Sequence, residues 1–417
     1  MRRFEWNPGG ALARLAGTAV LLAALAAALR AGGSLYPDPR QVVFLQWWET
    51  ELGPGVLEGL IREFEESSPG VSVVLDTRSR EEVRDYLLRG PAAGEREADV
   101  LGVDPRWLAL LEDPPSRLEP LQLEDGERLS QPLFQAMVAL FYNTELLEEA
   151  GFDRPPKTWE DMQNAARLFG GGGRGFSLAL AGGLETDFYP WFWAAGRRVF
   201  DGPGPSGLSG GAPHFDGPDN TAVLRFLRDL YLGGFFVPEP LVKTDREKLE
   251  DFKAGRAAMI LAPVLVLPEL RRAGLPLGIS TVPHPASYVG KPLFGFEGRH
   301  AALLRGSRFK ALSRSFIAFL AEKAPLLAAA GGGIADSGTG APVSALYAGD
   351  DPLYAKAYSI YEAGEAPEEF AGPAAARLDI IVAGELGRLL GGEQGPEETA
   401  VAIGRRWAEY SPAPEMP

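Results

Sequence analysis

Aromatic side chains stand beside carboxylates at several places in this chain, in a pattern suited to binding a small polar molecule. The densest segment is Phe188–Trp193 (FYPWFW), which places five aromatic residues in six positions next to Glu185 and Asp187. Flat rings stack on the C–H face of a sugar, and carboxylates accept hydrogen bonds from its hydroxyl groups. The pattern therefore predicts a site for a sugar or a related polyol.

Three further clusters of the same kind support this interpretation. They are Trp47-Trp48-Glu49, Asp104 with Trp107, and Phe294–Glu297. Large aromatic residues are also the usual content of a hydrophobic core, so Trp191 and its two neighbours could instead fill the core of a helix. For the clusters as a group we favour ligand contact, and the core interpretation stays open for each ring.

The chain shows no catalytic, metal or cofactor motif. It has no cysteine, which excludes disulfides, thiolate metal sites and cysteine nucleophiles. Its three histidines, His214, His284 and His300, lack the spacing of metal ligands, and no G-x-S-x-G sequence occurs. We therefore expect no catalytic residue, no metal and no cofactor. With 56 acidic residues, a carboxylate pair that hydrolyses glycosides stays open as an alternative.

The net charge argues against one class of partner, and the N-terminal segment indicates the compartment in which the protein works. A formal net charge of −15 argues against a nucleic-acid partner, because phosphates require lysine and arginine. Residues 1–33 combine early arginines, an apolar run over 15–29 and small residues after it, which is typical of a secretory signal. We expect a periplasmic or otherwise extracytoplasmic protein, with the signal either cleaved or retained as a membrane anchor.

Strands and helices alternate along the body of the chain. Short apolar runs predict strands over 42–46, 71–75 and 99–103, separated by helices starting at Pro54 and spanning 80–89. This order predicts an α/β fold with a mostly parallel sheet, whose ligands bind beyond the carboxyl ends of the strands. That edge would bring together the clusters at Trp47 and Asp104.

The same alternation continues to the C-terminus. Further strands are predicted over 176–181, 257–262, 277–282 and 300–304. Helices are predicted over 158–169, from a cap at Asp219 or Asn220 onward, over 245–255, and over 309–322, 350–362, 374–391 and 396–410.

Two consecutive segments carry a family resemblance. Phe141–Gly151 (FYNTELLEEAG), followed by Pro155–Asp161 (PPKTWED), resembles the signature of the family 1 extracellular solute-binding proteins, the sugar-binding components of ABC importers. Segments 60–71, 99–108, 215–232 and 252–270 resemble the family in the expected order, so the similarity runs from about Val42 to Tyr410.

The resemblance implies a periplasmic-binding-protein-like fold of type II, with two α/β lobes, a hinge and a ligand cleft. It places one lobe at 40–141 plus about 263–309 and the other at 142–262 plus about 319–411, with crossings near Tyr142, near Pro263 and near 309–319. It also implies a monomer without catalytic activity that delivers a carbohydrate to the membrane permease of an ABC importer. An anchored sensor or structural protein that keeps the fold is the alternative function.

The resemblance also suggests which residues contact the ligand. The positions are Trp47, Trp48 and Glu49 in a first cleft loop, Asp104 and Trp107 in a second, Asp187, Tyr189 and Trp191 in the other lobe, and Glu297 and Arg299. Leu265 stands where the family commonly has a stacking tryptophan, and Glu297–His300 replaces a usual Gly-Gly-Trp-Gly run. Arg299 could pair with an acidic ligand or with Glu297. The segment Leu118–Gly126 is shorter than its usual counterpart.

Overall fold

The computed structural model describes residues 40–111, 113–123, 126–169, 174–180, 183–199, 213–292, 294–331, 334–335, 351–365 and 373–410. The predicted signal segment lies outside these residues. Within these ranges, the helices are too short or too polar to cross a bilayer.

The strands of the described chain form one large sheet and a small hairpin. Along the large sheet the order is β2-β1-β3-β11-β7-β9-β8, and β5 pairs with β6. Their bounds are β1 Arg40–Gln46, β2 Val71–Thr77, β3 Val100–Val103, β4 Leu118–Glu119, β5 Leu121–Leu123, β6 Gly126–Arg128, β7 Gln131–Asn143, β8 Phe176–Ser177, β9 Met259–Pro263, β10 Leu277–Ser280, β11 Phe296–Leu304 and β12 Ile334–Ala335.

Helices cover both faces of the large sheet. In chain order they are α1 Glu49–Leu52, α2 Val56–Ser67, α3 Arg80–Arg89, α4 Pro114–Arg117, α5 Thr144–Glu149, α6 Trp159–Phe169, α7 Leu184–Asp187, α8 Tyr189–Ala194, α9 Pro218–Leu232, α10 Asp245–Lys253, α11 Leu267–Arg272, α12 Lys310–Glu322, α13 Ala324–Gly331, α14 Pro352–Ala363, α15 Pro373–Leu390 and α16 Pro396–Tyr410. Two 3-10 turns, Pro105–Leu110 and Val264–Val266, complete the set.

The first lobe is built on the parallel strands β2, β1 and β3. Helix α2 buries Leu57, Leu60, Ile61 and Phe64, which recur every three or four residues and so share one face of the helix. This stripe packs into a core with Phe44, and the predicted alternation of strands and helices over 42–103 is confirmed.

The long strand β7 connects the two lobes without interruption. Its first half, residues 131–137, pairs with β11, whereas residues 138–142 pair with β9. Phe134 accordingly belongs to the core of the first lobe, and Leu140 belongs to the core of the second. Because this one strand is hydrogen-bonded in both lobes, the two lobes are connected at its midpoint.

The second lobe has a hydrophobic core on each face of its part of the sheet. One core gathers Trp191, Leu261 and Ile403 with helices α6, α8, α9, α15 and α16. The other contains Phe141 and Ile360 with helices α11 and α14. The second lobe therefore recruits its C-terminal helices from beyond residue 350.

The chain also passes between the lobes at two other places. Val264 packs in the second lobe, and the next residue, Leu265, packs in the first. Strand β11 begins after Phe294 of the second lobe and reaches Ala301 in the first. Between these places, β10 pairs with residues 140–143 of β7, which belong to the second lobe. This pairing does not support the assignment of all of 263–309 to the first lobe. The expected lobe limits stay a prediction.

Four predictions differ from the structure. The large sheet is not mostly parallel, because β7 and β11, which pass between the lobes, run antiparallel to each of their neighbours; the parallel pairings are β1 with β2, β1 with β3, and β8 with β9. The strand expected over 176–181 is two residues long in β8. Helix α9 begins two or three residues earlier than expected, with Gly217 as its N-cap, because Pro218 provides a favourable first helical residue. Strand β7 was not anticipated, and only the structure shows that it pairs with strands more than 100 residues farther along the chain.

Candidate functional site

A cavity of about 570 Å³ lies between the two lobes. The first lobe contributes Trp47, Glu51, residues 77–82 and Arg299 to its walls. The second lobe contributes six residues of α10, together with Ala262, Pro263, Val266, Glu269 and Arg272. A cavity of this size accommodates a small molecule.

Aromatic side chains follow two neighbouring strands of the first lobe, and one of them, Trp47, lines the cavity. Trp47 follows β1, and Trp107 lies in the 3-10 turn that follows β3. Their ring centroids are 4.9 Å apart. Asp104 caps this 3-10 turn by accepting a hydrogen bond from the backbone N–H of Arg106 at 3.0 Å. The structure thus brings together three of the predicted site residues.

Guanidinium groups cover both of these rings. The guanidinium carbon of Arg299 lies 5.2 Å from the ring centre of Trp47, and that of Arg80 lies 5.5 Å from the ring centre of Trp107. Such cation–π contacts are stabilising, and they occupy ring faces on which a sugar would otherwise stack. Each ring is also buried in this arrangement.

Arg299 forms a bidentate ion pair with Glu51. Its Nε and NH2 groups donate to the two Glu51 carboxylate oxygens at 2.8 and 2.7 Å, and Trp47 Nε1 donates to Oε1 at 3.1 Å. Arg299 is 1% exposed, so this carboxylate supplies the counter-charge that a buried guanidinium needs. Sequence reasoning offered Glu297 or an acidic ligand as the partner of Arg299 and missed Glu51.

Ion pairs join the two lobes beside the cavity. Arg80 binds Asp104 at 2.8 Å within the first lobe, and it reaches Glu185 at 3.2 Å and Asp245 at 2.9 Å in the second. Arg106 binds Asp104 at 2.7 Å and also contacts Glu185. Burial would raise the pKa of Asp104, but the guanidinium groups of Arg106 and Arg80 outweigh it and hold that pKa well below its usual range.

A second buried pair continues the network into the other lobe. Lys248 Nζ lies 2.5 Å from Asp187 Oδ2 and 3.1 Å from Asp245 Oδ1. Burial lowers the pKa of Lys248, but the two carboxylates outweigh burial and raise it, so the ammonium stays protonated. Burial raises the pKa of Asp187 to about 7 against the opposing effect of Lys248.

Tyr189 and Trp191 lie in the core of the second lobe. The Tyr189 hydroxyl donates to Asp379 Oδ1 at 2.7 Å, and Trp191 Nε1 donates to the Asp187 carbonyl at 3.0 Å. The Trp191 ring sits between Phe176 and Phe226, at centroid distances of 5.7 and 5.8 Å. Both side chains are fully buried in this arrangement, and their contact with a ligand stays a prediction.

Of three other predicted residues, one lies apart from the cavity, and two have side chains outside the described part of the molecule. Trp48 is fully buried between Phe44 and Phe134 in the first core, at centroid distances of 5.5 and 5.7 Å. The side chains of Glu49 and Glu297 lie outside the described part of the molecule.

Sequence reasoning missed the charged residues that face the cleft, and two capping motifs could have located them. Ser79 and Glu82 form a capping box at the start of α3, and Thr244 and Glu247 form one at the start of α10. Arg80 and Asp245 are the first residues of those helices, so the two motifs mark two helix starts that meet across the cleft. Over the described side chains, no three His, Cys, Asp or Glu residues are grouped to hold a metal ion.

Two α/β lobes with a cavity between them define a periplasmic-binding-protein-like receptor of type II. The chain belongs to the bacterial extracellular solute-binding protein family, whose model matches residues 47–325. The resemblance noted in the sequence is thereby confirmed.

Solved structures share this fold. The maltose-bound MalE3 of T. maritima is 19% identical with a TM-score of 0.68, and the alignment covers 89% of this chain and 100% of that one. A solute-binding protein of an ABC transporter from Thermotoga lettingae TMO, bound to α-D-tagatose, is 19% identical with a TM-score of 0.69, over 89% and 99% of the two chains.

Curated relatives match a shorter stretch. The sn-glycerol-3-phosphate-binding periplasmic protein UgpB of Salmonella paratyphi A is 26% identical over 196 residues, which are 45% of this chain and 43% of that protein. A binding protein of Brucella abortus (strain 2308) is 25% identical over 166 residues, 38% of each chain. The chain thus spans less than half the length of these relatives, which are named as binding proteins and not as enzymes.

Proposed function

We propose that this protein is the extracytoplasmic solute-binding component of an ABC importer, which takes up a sugar or a related polyol between its lobes and delivers it to the permease. The observation that carries the proposal is the cavity of about 570 Å³ between lobes that the continuous strand β7 connects. Lobe closure around a solute is a common signal in two-lobed receptors. The family membership and the sugars bound by the structural neighbours support the same class of ligand.

The two walls of the cavity would make different contacts with the solute. Trp47 would provide the apolar surface against which a sugar ring packs, once Arg299 shifts from its ring face. The charged groups of α3 and α10 would then accept and donate the hydrogen bonds that fix the solute. We retain the other predicted contact residues, including Asp187, Tyr189 and Trp191, as part of the proposal to be tested by mutation.

Binding without catalysis is part of the proposal. Asp104 is bound by Arg80 and Arg106, which hold its pKa low and so favour its ionised form over the protonated form that a glycosidase acid requires. Residues 1–33 would export the chain and either be removed or anchor it. A protein that keeps its N-terminus and binds no solute would fit the alternative of an anchored sensor.

A thermal-shift panel tests the proposal. Each neutral or acidic carbohydrate is added to the purified protein at several concentrations, with bovine serum albumin as an unrelated control. A solute that binds the folded chain raises its melting temperature in a concentration-dependent manner. If no carbohydrate stabilises the protein, the proposed function is contradicted, and turnover of an aryl glycoside would favour the hydrolase alternative instead.

A further inference from the structure

Glu51 of α1 accepts hydrogen bonds from two other residues of the cavity wall. Trp47 Nε1 donates to its Oε1 atom at 3.1 Å, and Arg299 donates to Oε1 through NH2 at 2.7 Å and to Oε2 through Nε at 2.8 Å. All three residues line the cavity between the lobes. The carboxylate is therefore held at a defined position beside the space in which a solute would lie.

These contacts leave the Glu51 carboxylate able to accept a further hydrogen bond. A carboxylate offers about four acceptor positions on its two oxygens, and Trp47 and Arg299 fill three of them. Among the residues that the structure describes, Oε2 accepts from Arg299 Nε alone, so its second position remains for a solute. The side chain of Glu51 is 13% exposed and that of Arg299 is 1% exposed. The carboxylate is thus the more accessible partner of this ion pair.

The carboxylate and the Trp47 ring offer different surfaces to the same solute. An indole N–H lies in the plane of its ring, so the group that accepts from Trp47 Nε1 lies at the ring edge and not over a face. A sugar that packs its C–H side on the ring face carries hydroxyl groups around its rim, and a carboxylate at the edge can accept from one of them. When Arg299 shifts from the ring face, Trp47 Nε1 still fixes Oε1, and further acceptor positions of Glu51 become free.

Helix α1 places Glu51 at the boundary between the lobes. This helix packs against α11 of the second lobe, and Glu269 and Arg272 of α11 line the same cavity. A solute that donates to Glu51 from inside the cavity therefore lies where the second lobe can contact it too.

We propose that Glu51 determines specificity by accepting a hydrogen bond from a hydroxyl group of the solute. This role rests on the proposed function, because it assigns one contact within the cavity of a solute-binding protein. Trp47 supplies the adjacent apolar surface and orients the carboxylate through its indole N–H, and Arg299 is a positioning residue that binds both carboxylate oxygens. Because a flat ring face requires a flat partner, the solute is a pyranose sugar with a hydroxyl donor beside its C–H side.

An acceptor at this position discriminates between a hydroxyl group and its replacements. An analogue that carries hydrogen in place of the hydroxyl leaves the carboxylate without this partner in the occupied cavity, which weakens binding. An O-methyl group at the same position cannot donate either. Packing on Trp47 discriminates less, because any sugar with a flat C–H side can make it. Glu51 therefore selects for a hydroxyl donor at one position of the sugar ring.

Isothermal titration of the full chain with a hexose series tests this role. D-Glucose, D-galactose and D-mannose are titrated first, and the one that binds most tightly is compared with deoxy analogues that each lack one of its hydroxyl groups. We expect at least one analogue to bind about tenfold more weakly than its parent. The hydroxyl missing from that analogue is the one that Glu51 recognises.

Three variants assign the preference for that hydroxyl to Glu51. Arg299→Met removes the positioning cation but keeps the carboxylate and its bond from Trp47, so the preference should persist. The double variant Glu51→Leu with Arg299→Met also removes the acceptor, and the preference should vanish. Glu269→Gln alters another cavity carboxylate, which Lys253 binds at 2.7 Å, and as the matched control it should keep the preference. Thermal melting of each variant shows that it is folded.

Each contrary outcome has a distinct meaning. If every deoxy analogue of the wild type's best hexose binds as tightly as its parent, the role of Glu51 is contradicted without any variant. It is also contradicted if the folded double variant keeps the preference, or if Arg299→Met loses it. The proposed function survives these results, because a carbohydrate still binds. If none of the three hexoses binds, the role of Glu51 is contradicted, and the wider thermal-shift panel decides separately on the proposed function.

Discussion

Arg80 and Asp245 face each other across the cleft, with Arg80 NH1 2.9 Å from Asp245 Oδ2. Each residue is the first of a helix that begins with a capping box. The two helix starts therefore place opposite charges against one another between the lobes. The pair contributes to the contacts that hold the lobes together.

Asp245→Asn should shift the protein toward separated lobes. Asp245 is 26% exposed at its side chain, so water screens the pair and we expect a loss of only about 1 kcal/mol for the contact. Small-angle X-ray scattering should show a larger radius of gyration for the variant than for the wild type. An equal radius, measured alongside Asp229→Asn as a control on α9, would contradict a closing role for this pair.

Glu51→Gln should destabilise the first lobe. The substitution leaves Arg299 buried beside Trp47 without its carboxylate, and loss of one partner of a buried ion pair costs about 3–5 kcal/mol. Urea denaturation measures the free energy of unfolding. The double variant Glu51→Leu with Arg299→Met removes both charges and should recover most of the loss. A double variant no more stable than Glu51→Gln would count against this explanation.

Trp191→Ala separates core packing from ligand contact. The ring is fully buried between Phe176 and Phe226, so its removal should lower the free energy of unfolding by about 3–5 kcal/mol. Leu168→Ala, at a residue 59% exposed, is the control and should change stability little. An unchanged melting temperature with binding weakened by about 1–3 kcal/mol would instead support the predicted stacking of Trp191 on a ligand.

Stability should depend on pH through Asp379. Burial, reinforced by Glu185, raises the pKa of Asp379 to about 7, far above its value in an unfolded chain. Between those two values the folded state holds a proton that the unfolded state has lost, so the free energy of unfolding falls as pH rises. One such carboxyl contributes a fall of about 1 kcal/mol between about pH 6 and 8.

The variant Asp379→Asn isolates this contribution. The amide oxygen can still accept the hydrogen bond of Tyr189, but it does not titrate. We expect the variant to lose less stability than the wild type between pH 6 and 8 in parallel urea titrations. His300, whose pKa burial lowers to about 4, has the opposite pH dependence below its unfolded value and is unchanged in the variant. Identical pH profiles would contradict the assignment.

Local patterns were sufficient to predict the elements that surround the cleft. The apolar runs at 42–46, 71–75 and 99–103 became β1, β2 and β3, and the strand-end rule brought Trp47 close to Trp107. Strand β7 was not predicted, and its pairing with four strands from distant parts of the chain is visible only in the structure. Its apolar run over 136–141 is buried and contributes to the cores of both lobes.

The charged partners could not be predicted from sequence patterns, because they lie far apart in the chain. Arg80 meets Glu185 and Asp245 across separations of 105 and 165 residues, and in a chain with 56 acidic residues no spacing rule selects those two. The aromatic segment at 188–193 was easy to notice, but its composition fits both a core and a sugar site. Only the packing shows that Trp191 lies in a core in this arrangement.

Titration calorimetry with the tightest carbohydrate of the panel tests solute binding between the lobes most directly. We expect one solute per chain, with affinity weakened at least tenfold by Trp47→Ala at the cavity wall and unchanged by Leu168→Ala at the surface. Absence of binding by every carbohydrate, or binding that a folded Trp47→Ala variant retains in full, would contradict it.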